Sequence, residues 1–177
     1  QHKDTHKMIK VDITNTMRNA SHKKAKEMGV LYKSITRGKG NVVGFLGEEI
    51  VRKVLGGEEH NTRDYDLVVN NKTIDVKTKK TSVTPKSNYE CSVADVTRKQ
   101  DCDYFAFVRV LNDQSVGWFL GLKKREEYFD EAVYLTKGEH DPSNNYFVKA
   151  NCYNLPISSL DQAVNGITDD SKLVWVA

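Results

Sequence analysis

The chain has 177 residues, of which 38% are hydrophobic and 29% charged, with a formal net charge of +3 at pH 7. That length fits one domain with its own buried core, and the composition excludes a disordered or fibrous chain. No run approaches the roughly 20 apolar residues of a membrane span, and the polar, basic start lacks a signal-peptide pattern, so a cytoplasmic protein is expected.

Charge is distributed unevenly along the chain. Residues 1–40 hold ten Lys or Arg against three acids (+7), which leaves 17 basic and 21 acidic residues (−4) in the rest. A basic segment on a mildly acidic body points to a phosphate-bearing partner, although a solvated charged face gives the same composition. Within this segment residues 14–33 read as a basic helix, interrupted at Gly29, with Met17, Ala20, Ala25, Met28 and Leu31 as a loose apolar stripe. The turn Arg37-Gly38-Lys39-Gly40-Asn41 closes it. The expected organisation is a basic helical N-terminal extension over 1–40 and one α/β domain over 41–177.

A firmer helix is expected from 44 to 55, ended by Gly56-Gly57. Strands follow at 66–69 and 73–78, separated by Asn70-Asn71, a pair that tolerates the left-handed backbone of a tight hairpin. Residues 92–101 are expected to form a helix capped by Ser92. Strands are expected at 104–110 and 116–122, and a charged helix at 123–132. A strand at 146–153, a short helix at 158–164 and a terminal strand at 173–176 complete the reading, with Trp118 and Trp175 as core residues. Cys91, Cys102 and Cys152 are odd in number and lack CxxC pairing, which argues for reduced, buried thiols and against a zinc site. The five histidines show no metal-ligand spacing.

Chemistry concentrates in residues 66–77. Side chains alternate along a strand, so Asp75 and Lys77 share one face while Ile74 and Val76 share the other. A two-residue turn at Asn70-Asn71 pairs Val69 with Lys72 and Leu67 with Ile74, and sets Asp66 opposite Asp75. Facing carboxylates repel unless a cation sits between them, and Mg²⁺ or Mn²⁺ is the natural occupant because hard cations take oxygen ligands. Such an ion acidifies water and shields a phosphate, with Lys77 placed to steady the developing charge. On the preceding helix, at about 100° per residue, Glu48 falls at the border of the apolar stripe. Glu49 projects away from it as a solvated surface charge.

Gly44-Phe45-Leu46-Gly47-Glu48, then Tyr65-Asp66-Leu67, then Asp75-Val76-Lys77 resembles the PD-(D/E)XK nuclease superfamily, over about residues 41–110. The resemblance implies a restriction-endonuclease-like core, a mixed central β-sheet flanked by helices in the order helix, hairpin, helix, strand. It implies metal ligation by Asp66, Asp75 and the Val76 carbonyl, with Glu48 direct or through water, and service of the attacking water by Lys77. Gln100 falls where some members carry an accessory glutamine on the following helix. Tyr65 stands where the pattern's name places proline.

The resulting expectation is a Mg²⁺-dependent DNA endonuclease that uses no small-molecule organic cofactor and no membrane. Arg37, Lys39, Lys79, Lys80 and Arg98 are the candidate DNA contacts. A chain this short carries one site, so cutting both strands of a duplex would call for a homodimer. The alternatives are a junction resolvase or exonuclease of the same fold, a non-catalytic DNA-binding module, or an unrelated α/β protein in which Asp66 and Lys77 form an ion pair. Compact size and basic arm also resemble phage or mobile-element nucleases.

Overall fold

The computed structural model describes residues 8–31, 41–141 and 146–161. The expected turn at 37–41 lies outside them except for Asn41, as do Arg37, Lys39, the expected strand at 173–176 and Trp175.

Strand β1 (Ile9–Asp12) is the first element among the described residues and forms because Ile9, Val11 and Ile13 alternate with polar residues and are buried. Helix α1 (Asn15–Leu31) follows, with the Thr14 hydroxyl accepting the Met17 N–H at 3.2 Å as an N-cap. The helix continues through Gly29, where an interruption was expected. Helix α2 (Asn41–Leu55) buries Leu46, Ile50, Val51 and Leu55 at helical spacing. It ends at Gly56 and Gly57, both at positive φ, where the Gly56 N–H donates to Arg52 O at 2.7 Å.

After β2 (Glu58–Glu59), strands β3 (Leu67–Val69) and β4 (Lys72–Thr81) form the expected hairpin. Asn70 and Asn71 have φ of 46° and 63°, the left-handed pair that a two-residue turn requires. Val69 faces Lys72 and Leu67 faces Ile74, as the side-chain pattern dictates.

Residues 92–101 are not a helix. Strand β5 (Glu90–Ala94) occupies this stretch, with a single 3-10 turn at Asp95–Thr97. Cys91 and Val93 are buried on one side, a period of two that wins because a distant strand completes the pairing. Strands β6 (Tyr104–Leu111) and β7 (Val116–Lys124) and helix α3 (Arg125–Glu131) come where expected. The stretch expected as one strand at 146–153 is divided. After β8 (Val133–Leu135) and β9 (His140–Asp141), strand β10 (Tyr146–Phe147) pairs with β9, and β11 (Cys152–Pro156) pairs with both β5 and β8. A 3-10 turn at Ile157–Ser159 stands where a short helix was expected, and residues 162–164 lie outside the described part.

The fold is α/β. A mixed six-stranded sheet, ordered β1-β7-β6-β4-β3-β2, is parallel only between β4 and β6. One face packs against α1 and α2 through Ile50, Val51, Ile74, Val108 and Phe119, among others. The other packs against α3 and the sheet β5-β11-β8 through Phe105, Phe107, Trp118, Tyr128 and Leu155. Tyr128 is fully buried and its hydroxyl donates to backbone carbonyls of both Cys91 and Tyr153, joining the second sheet to α3. Residues 9–31, expected as an extension, place β1 at the sheet edge beside β7 and α1 against α2. All three cysteines are buried and free. Among the described residues, no helix is long and apolar enough to cross a membrane.

Candidate active site

Unequal strand lengths make the site. Strand β3 has three residues and β4 ten, so beyond Ile74 the edge of β4 is no longer covered by its hairpin partner. The Asp66 N–H still donates to Ile74 O at 2.9 Å, and its side chain then takes over: Asp66 Oδ2 accepts the Val76 N–H at 2.8 Å. A carboxylate thus replaces the missing ladder bond. A strand residue's N–H and C=O leave the backbone on the same side, so the Val76 carbonyl faces this edge as well.

Helix α2 brings the second acid. Gly47 lies against Thr78, and a Cβ there would stand 1.8 Å from Thr78 Oγ1, so only glycine permits this approach of helix and strand. Glu48, the next residue, is buried, and its Oε1 has no hydrogen-bond partner among the described residues. With Asp66, Val76, Asn61 and Thr62 it lines a cavity of about 240 Å³. Glu49 is not the solvated charge expected. It is half-buried and paired with Lys24 of α1 at 3.5 Å and with Arg52 at 3.3 Å, and both cations also pair with Glu59. Sequence alone did not show that α1 would lay a lysine over this side of α2.

Asp75 and Lys77 project from the other face of β4, beside Phe105 and Phe107 of β6 in the parallel register. Lys77 Nζ lies 2.8 Å from Asp75 Oδ2, donates to Gln100 Oε1 at 2.9 Å and sits 5.6 Å from the Phe105 ring centre. The Gln100 amide donates to Arg63 O at 3.1 Å and, at 3.4 Å, to Asp75 Oδ1. Gln100 therefore joins the group from the segment after the 3-10 turn, not from the helix expected there.

Charge coupling binds the acids into one cluster. Burial, then the charges of Asp66 and Glu59, raises the Glu48 carboxyl from 4.5 to about 9, with Lys24 opposing. Burial, then Asp75, raises Asp66 from 3.8 to about 7, against the Val76 N–H bond and Lys77. In both, burial and the repulsion of neighbouring acids outweigh the nearby lysine, so a cation brought among them would be favoured. Among the described residues no group of three His, Cys, Asp or Glu side chains closes around a metal position. The oxygen set is instead an open one, of Asp66, Asp75, the Val76 carbonyl and the unpartnered Glu48 Oε1. That suits Mg²⁺, which binds through one or two carboxylates and keeps several waters.

The candidate DNA contacts fare differently. Lys79 and Lys80 are exposed on β4 and point to opposite faces. Arg98 is committed elsewhere: it donates to the Tyr153 hydroxyl and lies 5.2 Å from the Phe129 ring centre and 5.3 Å from that of Tyr153. Asp103 accepts from both the N–H and hydroxyl of Thr73 and fastens β6 to β4. Sequence reasoning passed over Asn61 and Thr62, which carry no motif, and Arg109. The signal for Arg109 was its position as the one charged residue in the apolar strand Tyr104–Leu111. No protein-family model matches the chain, and a search of curated proteins finds no match.

Proposed function

We propose that this protein is a divalent-metal-dependent deoxyribonuclease that hydrolyses phosphodiester bonds at the open edge of β4. The observation that carries the reading is the convergence of Glu48, Asp66 and Asp75 with Lys77 and Gln100 where β3 leaves β4. A structural role alone gives no reason to bury mutually repelling carboxyls there. Asp66, Asp75 and the Val76 carbonyl would hold the metal, with Glu48 direct or through water. Bound Mg²⁺ would supply neutralisation of phosphate charge and acidification of the attacking water.

The chain's own groups do the rest. Asp66 is held in place by the Val76 N–H. Lys77, tethered by Asp75 and Gln100, is aimed by two partners and stabilises charge building on the phosphorane or orients the water. Glu48, inside the cavity, is placed to accept a proton or a water. The restriction-endonuclease-like core belongs to this proposal, supported by the helix–hairpin–strand order, whereas β5 fills the place of the second helix. A second reading, a DNA-binding module that does not cut, is favoured by one observation: Lys77 and Asp75 already form an ion pair at 2.8 Å without a metal.

Incubation with supercoiled plasmid, linear duplex and branched DNA in Mg²⁺, Mn²⁺ or EDTA tests the proposal. Metal-dependent cleavage that is lost in Asp75→Ala supports it and names the substrate form. DNA binding without cleavage under any of these conditions supports the second reading.

A further inference from the structure

The row that begins with Asp75 and Lys77 continues. Lys79 follows on the same face of β4, one two-residue step of about 6.6 Å beyond Lys77, and its neighbour on β6 is Arg109. Arg109 is only 8% exposed, an unusual place for a guanidinium. It donates to Glu90 O at 2.7 Å and stands 5.7 Å from the Tyr89 ring centre, which uses few of its five N–H donors. Glu90 is the one carboxylate that lines a cleft with the two cations. Each cation has its pKa lowered. For Arg109 the cause is burial. For Lys79 it is desolvation of the ammonium end of an otherwise exposed side chain, followed by the charge of Arg109, whose effect outranks that of Glu90.

Both cations open into solvent-accessible space. A cleft of about 280 Å³ is lined by Lys79, Arg109, Glu90, Ser92 and Asn154. A neighbouring one of about 440 Å³ shares Lys79 and Arg109 and reaches Lys77. The lining sets two adjacent cations against the single carboxylate of Glu90, so a cleft that leads to the candidate active site carries an excess of positive charge. The distance from Lys77 is comparable to the step between consecutive phosphates of one nucleic-acid strand.

We propose that Lys79 and Arg109 form a binding site for a single backbone phosphate of the nucleic-acid strand, next to the one that is cut. The site would run the strand along β4 toward β5, with the Glu90 carboxylate as its acidic wall. This inference rests on the nuclease reading for the position of the cut phosphate, but binding alone tests it.

The experiment is fluorescence anisotropy of a labelled short DNA duplex with the full chain, in EDTA, over a salt series. Lys79→Gln and Arg109→Gln should each weaken binding and lower the slope of log K against log salt by part of the roughly 0.9 that one neutralised phosphate contributes. The double variant should lower it by about 0.9 in all and not by twice that, because the two share one phosphate. Lys72→Gln, exposed on the same strand near the hairpin turn, should keep the wild-type slope. A merely structural role would lower the melting temperature and leave the slope alone. Arg109→Gln risks misfolding through loss of its bond to Glu90 O, so Lys79→Gln decides. A wild-type slope in Lys79→Gln, or no binding by the wild type, overturns the proposal. Salt-dependent binding with the stated variant pattern but no Mg²⁺-dependent cleavage would overturn the nuclease reading and leave this site standing.

Discussion

Replacing Gly47 with alanine sets two effects against each other. Helix propensity favours alanine over glycine in a helix interior by about 1 kcal/mol. Sterics oppose it, since the new Cβ would lie 1.8 Å from Thr78 Oγ1 and 2.9 Å from both Thr78 Cβ and Cγ2. Rotating the threonine brings no relief, because its own Cβ is already too close. The helix must therefore move off β4, and overpacking of this kind costs about 1–3 kcal/mol, occasionally more. Sterics should win in all but the mildest case, for a net loss of up to about 2 kcal/mol and a fall in melting temperature of up to about 8 °C at this chain length. The displacement also carries Glu48 away from Asp66, and misplacing a catalytic group by about 1 Å can cost 100-fold in rate. Thermal melts and plasmid cleavage on Gly47→Ala and Gly47→Ala/Thr78→Ala measure both consequences, and the double variant should regain part of each. A Gly47→Ala protein that is more stable than wild type and equally active would refute the claim that this contact sets the helix position.

Three more expectations follow from the same geometry. Asp75→Ala and Lys77→Ala should each lower cleavage by at least about 100-fold while DNA binding largely survives, read by plasmid cleavage beside a gel-shift assay. Retained Mg²⁺-dependent cleavage would remove that residue from the site. Glu49→Ala should leave cleavage unchanged and cost no more than about 1 kcal/mol in a urea melt, since its partners are partly exposed. Glu48 titrates near 4.5 when unfolded and about 9 when folded, so between these values the unfolded chain binds fewer protons. Metal-free protein should thus lose stability as pH rises through that window. Glu48→Gln should flatten this decline in melts in EDTA, and an unchanged slope would show that Glu48 is not the responsible group. Mg²⁺ must displace the proton, so its effect on the wild-type melting temperature should grow toward the upper end of the window.

Local chemistry made much of this legible. Asn70-Asn71 and the alternation on either side fixed the hairpin register, because both the turn and the pleat act over a few residues. The apolar spacing of α2 with its Gly56-Gly57 stop, and the apolar runs of β6 and β7, were readable for the same reason. Asp75 and Lys77 could be placed from that register, and Glu48 from the border of the α2 stripe, whereas Asp66, expected directly opposite Asp75, lies beyond the last ladder pair, Leu67 with Ile74, and accepts the Val76 N–H instead.

Distant partners decided the remainder. Glu90–Ala94 is a strand because β11 pairs with it, Ser92 lying opposite Asn154, and no window around residue 92 contains that information. The segment Ile9–Asp12 entered the sheet because β7, more than a hundred residues later, offered an edge. Glu49 turned out to be paired because α1 carries Lys24 across α2, and Arg109 faces Lys79 only through the parallel β4–β6 register. The sequence by itself determined the hairpin and the face of β4 that Asp75 and Lys77 share, since those depend on period and turn. Tertiary structure alone decided how closely α2 approaches β4, how deeply the carboxyls are buried and that Lys79 and Arg109 come side by side. Those depend on contacts between segments remote in the chain.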